Sequence, residues 1–587
     1  MTRLSVCLLI FLWVTGCTSP PRQPAATGPT AAVDGFVTSH FAARPAVAAA
    51  LGWHSYDGRF WLPNQTHLEA EAARLRHFDD QFAAMNGKSI SAEDERTVRL
   101  VRTIIAGERL QLERIRAPYR NPMFYAQALD VSLYLKRDWK PLVDRVRDMT
   151  ELLRQAPVLF QTARSQLETV LPRPWVETAI QIAEDSAGFI EGDVVTAGRD
   201  CGNPAVSAAF VTAAQSAARE HRKFATWLKS QRLPASTPDF AIGRERYAQL
   251  LATELIDLKP EEILEIGLKE LRAEEARFNA AAADIDSSRP AVEVFKSIQH
   301  DHPTANQLIS ETRRTLEAIR QFVVDHQIIT IPSEVRAKVT ETLPPFRATS
   351  FASMDTPGPF ETGASQAYYY VTPVESNWSP SQQEEWLTAF NFYTTDVVSI
   401  HEAYPGHYVQ FLALNASGAS TARKVFASYA FTEGWAHYCE QMLLAEGFGQ
   451  PADPAHASSA DKIRAAKYRL AQSDEALLRV CRLCVSVQMH CLGMTLDQGT
   501  RFFVDHCHYE EKTARQEAIR GTFDPGYCFY TLGKLQFLKL REDWKRQEGP
   551  AFSLQRFHDE ALRHGAPPLR LLRETMLKDS RIHGELF

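Results

Sequence analysis

The sequence predicts a mainly α-helical fold with one clear strand. Three observations carry this. Apolar residues recur with the 3.6-residue helix period along most of the chain, and period-two alternation is scarce. The chain has 587 residues, 45% of them hydrophobic and 23% charged, which is enough to bury a large core.

Taken in order, the first element is an export signal. Met1 to Gly16 sets Arg3 ahead of an apolar run from Leu4 to Val14, which is too short to persist as a membrane span. Val14-Thr15-Gly16-Cys17 has the small-residue pattern of a bacterial lipoprotein signal, so Cys17 is expected to become the lipidated N-terminus. By analogy, Thr18 rather than aspartate at the next position favours the outer membrane. Thr18 to Thr30, rich in Pro, Ala, Ser, Thr and Gly, reads as a flexible tether. The expected organisation is a signal at 1–16, a tether at 17–34 and a single large helical domain at 35–587, with the chemistry gathered at about 365–545.

Within that domain, Tyr247 to Ile285 reads as two successive helices. Pro260 starts the second, Glu261 and Glu262 suit the dipole of its first turn, and Ile263, Ile266, Leu268 and Leu271 form the buried stripe. After a Pro-, Ser-, Thr- and Gly-rich region, Ser365 to Val371 is the strand. It is either an edge to which an extended peptide adds or an ordinary core strand. Ser379 with Gln382, and later Thr495 with Gln498, form capping boxes at helix starts. Val397, Val398 and Ile400 carry a further helix into His401.

Sixty-five basic against 71 acidic residues leave a net charge of −6, which excludes a nucleic-acid footprint and implies no polyanionic partner. Beyond Cys7 and Cys17 seven cysteines remain, an odd number. Cys481 and Cys484 have C-x-x-C spacing but lie in an apolar-periodic stretch, which favours buried helix cysteines over a thiol-redox motif. His506 and His508 bracket Cys507, but the alternation points them apart on a helix and they read as surface.

The segment Ser399-Ile400-His401-Glu402-Ala403-Tyr404-Pro405-Gly406-His407 puts two imidazoles and a carboxylate into seven residues, as a hydrolytic zinc site requires. A second carboxylate follows in Phe431-Thr432-Glu433-Gly434-Trp435-Ala436-His437-Tyr438-Cys439-Glu440. In the usual H-E-x-x-H helix the histidines are one turn apart. Here they are six residues apart, so an unbroken helix would leave them roughly 120° apart in projection. Pro405 lacks an amide proton and Gly406 permits unusual dihedrals, which predicts a bulge between them.

These motifs resemble the bacterial proteins of domain-of-unknown-function family 885, which carry H-E-x-x-P-G-H followed by E-G-W-A. The resemblance extends to Glu261–Glu275, the Tyr368–Val371 strand and Asp524 to Leu535, and so over most of the mature chain. That family is similar to gluzincin-type metallopeptidases with helical, channel-bearing folds. The resemblance implies a large helical zincin-like fold with a small β-sheet beside the active-site helix, a central cleft or channel, and one Zn2+. It further implies His401, His407 and Glu433 as metal ligands, Glu402 as general base, and Tyr530 as oxyanion donor, with His490 as a second candidate for that role.

Spacing alone leaves Glu440 open against Glu433, and His437 reads as a pocket residue supporting the ligands. Trp435 and Tyr438 read as packing. The expected activity is that of an exported, lipid-anchored peptidase acting on short peptides. A zinc hydrolase of non-peptide amides or esters and a non-catalytic peptide-binding lipoprotein are the alternatives.

Overall fold

Helices build this protein, as the periodicity predicts. The computed structural model describes residues 28–85, 90–342, 347, 352–451 and 453–587. The signal segment, Cys17 and most of the tether lie outside the described residues. The end of the tether is corrected: a helix already begins at Pro29 and runs to Ala43, with Ala32, Val33 and Phe36 buried, so 29–34 is ordered core-facing chain.

The longest helix, Ser459–Cys491, starts from a Ser458/Asp461 capping box and is buried on most of its surface. Pro260–Asp286 packs along it. One apolar cluster joins Trp175, Phe210 and Phe224 of the N-terminal half to Leu477, Cys484 and Phe529 of the C-terminal half. A second surrounds the motif helices with Ile400, Trp435, Tyr438 and Phe537, and a third seats the N-terminal helices on Ala422 and Phe426. The two halves therefore share their cores. Among the described residues, no helix is long and apolar enough to cross a membrane.

The sheet has three strands, β1 (Lys338–Glu341), β2 (Ala352–Asp355) and β3 (Tyr368–Val371), in the order β1-β3-β2. β3 runs parallel to β1, with Lys338 opposite Tyr368, and antiparallel to β2, with Ala352 opposite Val371. The tyrosine-rich strand is thus central, and both of its backbone edges are occupied. The reading of it as a free edge for peptide addition is corrected. Tyr369 ties the sheet to the motif helix through its hydroxyl, 3.3 Å from that of Ser399.

Both predicted capping boxes form, at Ser379/Gln382 and Thr495/Gln498. The seven described cysteines are all free thiols. Cys481 and Cys484 are buried and burial pushes both thiols up, Cys484 to about 12, the reverse of an activated thiolate.

Candidate metal centre

The helix Phe392–Glu402 stops one residue after His401, and a new helix, His407–Ala416, starts on the second histidine. The predicted bulge is therefore a complete break. Gly406 fits because its N–H bonds to the Ile400 carbonyl at 3.0 Å, in space where a Cβ would lie 1.8 Å from the His401 carbonyl oxygen. The break turns the two imidazoles toward each other, with ring centroids 4.9 Å apart at 88°.

The helix Tyr429–Ala445 brings the third group. Its start is held by Ser428, whose hydroxyl accepts from the Phe431 amide, and by the buried Glu254 carboxylate, which accepts from the Ser428 hydroxyl and from the Tyr429 amide. Glu433 Oε2 then lies 3.5 Å from His401 Nε2 and 3.6 Å from His407 Nε2. One donor atom from each of the three residues falls within 4.8 Å of the others. Their side chains are only 6%, 12% and 19% exposed.

Two nitrogens and one oxygen at such spacing are a donor set that could hold zinc with a position left open. An orphaned atom supports the fit: Glu433 Oε2 is buried with no hydrogen-bond partner among the described residues. Burial would push the Glu433 carboxyl up, but the two imidazoles hold it well below the usual range. Burial opposes protonation of His401 as well, yet Glu433 and Glu440 together raise it to about 9.

Glu440 lies on the far side of His401. Its Oε1 accepts from His401 Nδ1 at 2.7 Å, its Oε2 meets His437 Nδ1 at 3.1 Å, and Arg479 approaches at 3.3 Å. A carboxylate behind an imidazole fixes the tautomer and aims Nε2 forward. Glu433 faces the shared point and Glu440 stands behind His401. His437 is buried against Glu440, away from that point, and burial lowers it to about 4.

A cavity of about 870 Å³ opens beside the site, with His401, Glu402 and Tyr530 in its wall. The Tyr530 ring is stacked 6.4 Å from His401, with the guanidinium groups of Arg482 and Arg520 at 5.4 and 5.9 Å from its centroid. Burial raises the Tyr530 phenol and the Glu433 charge adds to this, so the hydroxyl stays protonated at neutral pH. The placement depends on a close helix crossing: a Cβ on Gly434 would lie 2.4 Å from Gly533 Cα, so the two backbones touch there.

His490 is corrected. Its Nε2 donates to the Gly521 carbonyl at 2.8 Å, its Nδ1 accepts from the Ile242 amide at 3.3 Å, and it is not part of the cavity wall. Both nitrogens are engaged in holding backbone, and burial lowers the ring to about 4. His506 pairs with Glu275 at 2.7 Å, whereas His508 is half-buried in the cavity wall rather than on the surface. Asp474, Glu475, Arg479 and Arg482 also line the cavity. Their helical periodicity gave a weak signal, because they alternate with the apolar stripe of the longest helix.

Solved structures share this fold. One is a protein from Shewanella oneidensis described as a "putative lipoprotein of unknown function", with a TM-score of 0.76 and 22% identity, covering 94% of this chain and 100% of that one. Another is a protein from Colwellia psychrerythraea described as a "putative lipoprotein", with a TM-score of 0.77 and 17% identity, covering 93% of this chain and 98% of that one. At these identities the likeness shows the fold alone. Among curated proteins none matches this chain. The family model described as "Bacterial protein of unknown function (DUF885)" matches residues 45–576, and the chain belongs to that family.

Proposed function

We propose that the chain is an exported zinc-dependent metallopeptidase that hydrolyses short peptides in the bacterial envelope, anchored there by a lipid on Cys17. The observation that carries this reading is the convergence of His401 Nε2, His407 Nε2 and Glu433 Oε2 beside a cavity that also contains Glu402 and Tyr530. His401, His407 and Glu433 would hold a zinc ion, which would supply Lewis-acid polarisation of the scissile carbonyl and acidify the attacking water.

The chain's own residues do the rest. Glu402, next to the ligand His401 and facing the cavity, takes the proton of the attacking water and passes it to the leaving amine. Tyr530, kept protonated by burial, donates a hydrogen bond to the developing oxyanion. Glu440 and His437 keep the His401 ring aimed forward. The cavity suits flexible peptides better than folded proteins. Two like-folded proteins, each described as a "putative lipoprotein", together with the Cys17 signal pattern, support the envelope location.

The test is elemental analysis of the purified mature chain beside Glu402→Gln, with a mixed-peptide digest read by mass spectrometry. The expected result is about one zinc per chain in both proteins, with cleavage only in the parent. Absence of zinc from both would overturn the metal reading, and zinc without cleavage in the parent would overturn the peptidase reading.

A further inference from the structure

The helix Ser459–Cys491 presents Asp474, Glu475, Arg479 and Arg482 to the cavity, a charged stripe about 12 Å long. All but one of these groups are compensated. Glu475 pairs with Arg479, which also reaches Glu440 at 3.3 Å, and Arg482 forms a two-pronged pair with Glu517 at 2.8 and 2.9 Å. Of the basic groups that other elements bring to this wall, Lys296 pairs with Glu510 at 3.4 Å, His300 with Glu384 at 3.6 Å and Arg520 with Asp524 at 3.0 Å, while the His508 ring packs on Phe278 and burial disfavours its charged form. Asp474 is different. It is only 7% exposed, it lines the cavity, and among the described residues it makes no hydrogen bond or ion pair.

We infer that Asp474 is the anchor for an ammonium group of the bound peptide. The inference rests on the peptidase reading for the identity of the ligand. A buried carboxylate without a partner is costly to hold charged, and one that survives in a cavity wall marks a place where a ligand supplies the missing donors. Burial, with the Glu475 charge beside it, pushes the Asp474 carboxyl well above its usual range, and the nearby Arg479 charge offsets only part of this. An incoming ammonium carries three donors and a positive charge and reverses both effects. At the opposite end of the stripe Arg482 and Arg520, each held by its own carboxylate, flank Tyr530 in the same cavity wall. A short peptide with its amine at Asp474 therefore lies in the same space as Glu402 and Tyr530. Two sources share this chemistry, the α-ammonium at the peptide's N-terminus and a lysine side chain.

The experiment is calorimetric titration of zinc-loaded Glu402→Gln chain, which binds without turnover, with three probes: tetra-alanine, N-acetyl-tetra-alanine and N-acetyl-Ala-Lys-Ala-Ala. At least one amine-bearing probe is expected to bind about ten-fold or more tighter than the acetylated tetra-alanine. Adding Asp474→Asn should abolish that preference, while Asp474→Glu retains part of it and both variants keep the parent circular dichroism spectrum. Preference for tetra-alanine assigns the N-terminus, and preference for the lysine probe assigns the side chain. Equal binding of the three probes, an equal loss for all three in Asp474→Asn, or no binding of any probe overturns the anchor. Peptide cleavage by the parent without an amine preference sinks the anchor alone. Amine-dependent binding without cleavage keeps the anchor and sinks the peptidase reading.

Discussion

The indole Nε1–H of Trp435 donates to the Pro405 carbonyl at 3.0 Å, with the Gly406 carbonyl at 3.3 Å sharing the same donor. Trp435 is fully buried, and the contact joins the two sequence motifs at the break between the histidines. Removal of the donor leaves the buried Pro405 carbonyl without a partner at the turn that aims His407, while the Gly406 carbonyl keeps the Gln410 amide at 3.0 Å. Trp435→Phe, which keeps an aromatic ring, should therefore lower stability by about 1–3 kcal/mol and loosen the site. Denaturant unfolding and zinc content after dialysis check it; parent values for both would show the hydrogen bond to be inconsequential.

The arrangement of Glu433 and Glu440 predicts unequal effects on metal binding. His401→Ala, His407→Ala and Glu433→Ala should each lose stoichiometric zinc, because each removes a donor from the shared point. Glu440→Gln keeps all three donors and disturbs only the aim of His401, so affinity should fall about 10–100-fold. Competition against a chelator measures this directly. Complete loss in Glu440→Gln with retention in Glu433→Ala would exchange their roles.

Much of this centre was legible in the residues. The break was legible because Pro405 and Gly406 offer the backbone no regular continuation between the two histidines. The choice between Glu433 and Glu440 was not. Seven residues is close to two helical turns, so both face the same way about 10 Å apart along the axis, and only the tertiary position of His401 between them separates front from back. His490 misled for a related reason: a buried histidine that holds two backbone groups has the same sequence signature as one that faces substrate. The central position of β3 was hidden because its partners are four-residue strands without a period of their own.

Tyr530 and His490 should separate cleanly in kinetics. On the proposed peptidase mechanism Tyr530→Phe removes the oxyanion donor and is expected to lower kcat by about 10²–10³ with zinc retained. His490→Gln should leave kcat per folded chain near the parent value and lower the melting temperature instead, since the ring secures Gly521 and Ile242. A His490→Gln chain with parent stability and lost turnover would restore it to the catalytic set.

Glu254 makes stability depend on pH. Burial raises its carboxyl from 4.5 to about 7, against the opposing hydrogen bonds of Ser428 and of the Tyr429 and Ala430 amides. Between these values the folded chain holds a proton that the unfolded chain has released. Stability should therefore fall as pH rises through that window, by on the order of 3 kcal/mol in total, and level off above it. Glu254→Gln should flatten the slope between pH 5 and 8. Melting curves at the two pH values decide, and an undiminished slope in the variant would point to another group.

The crossing of Gly434 and Gly533 also determines what this scaffold can vary. Glu433 is adjacent to one glycine and Tyr530 is three residues before the other, so the separation of the carboxylate from the phenol is fixed by direct contact of main chains. At this crossing even a methyl group has nowhere to go: a Cβ on Gly533 would lie 1.9 Å from the Ala430 carbonyl oxygen, so it would act as a wedge between the helix that carries Glu433 and the helix that carries Tyr530.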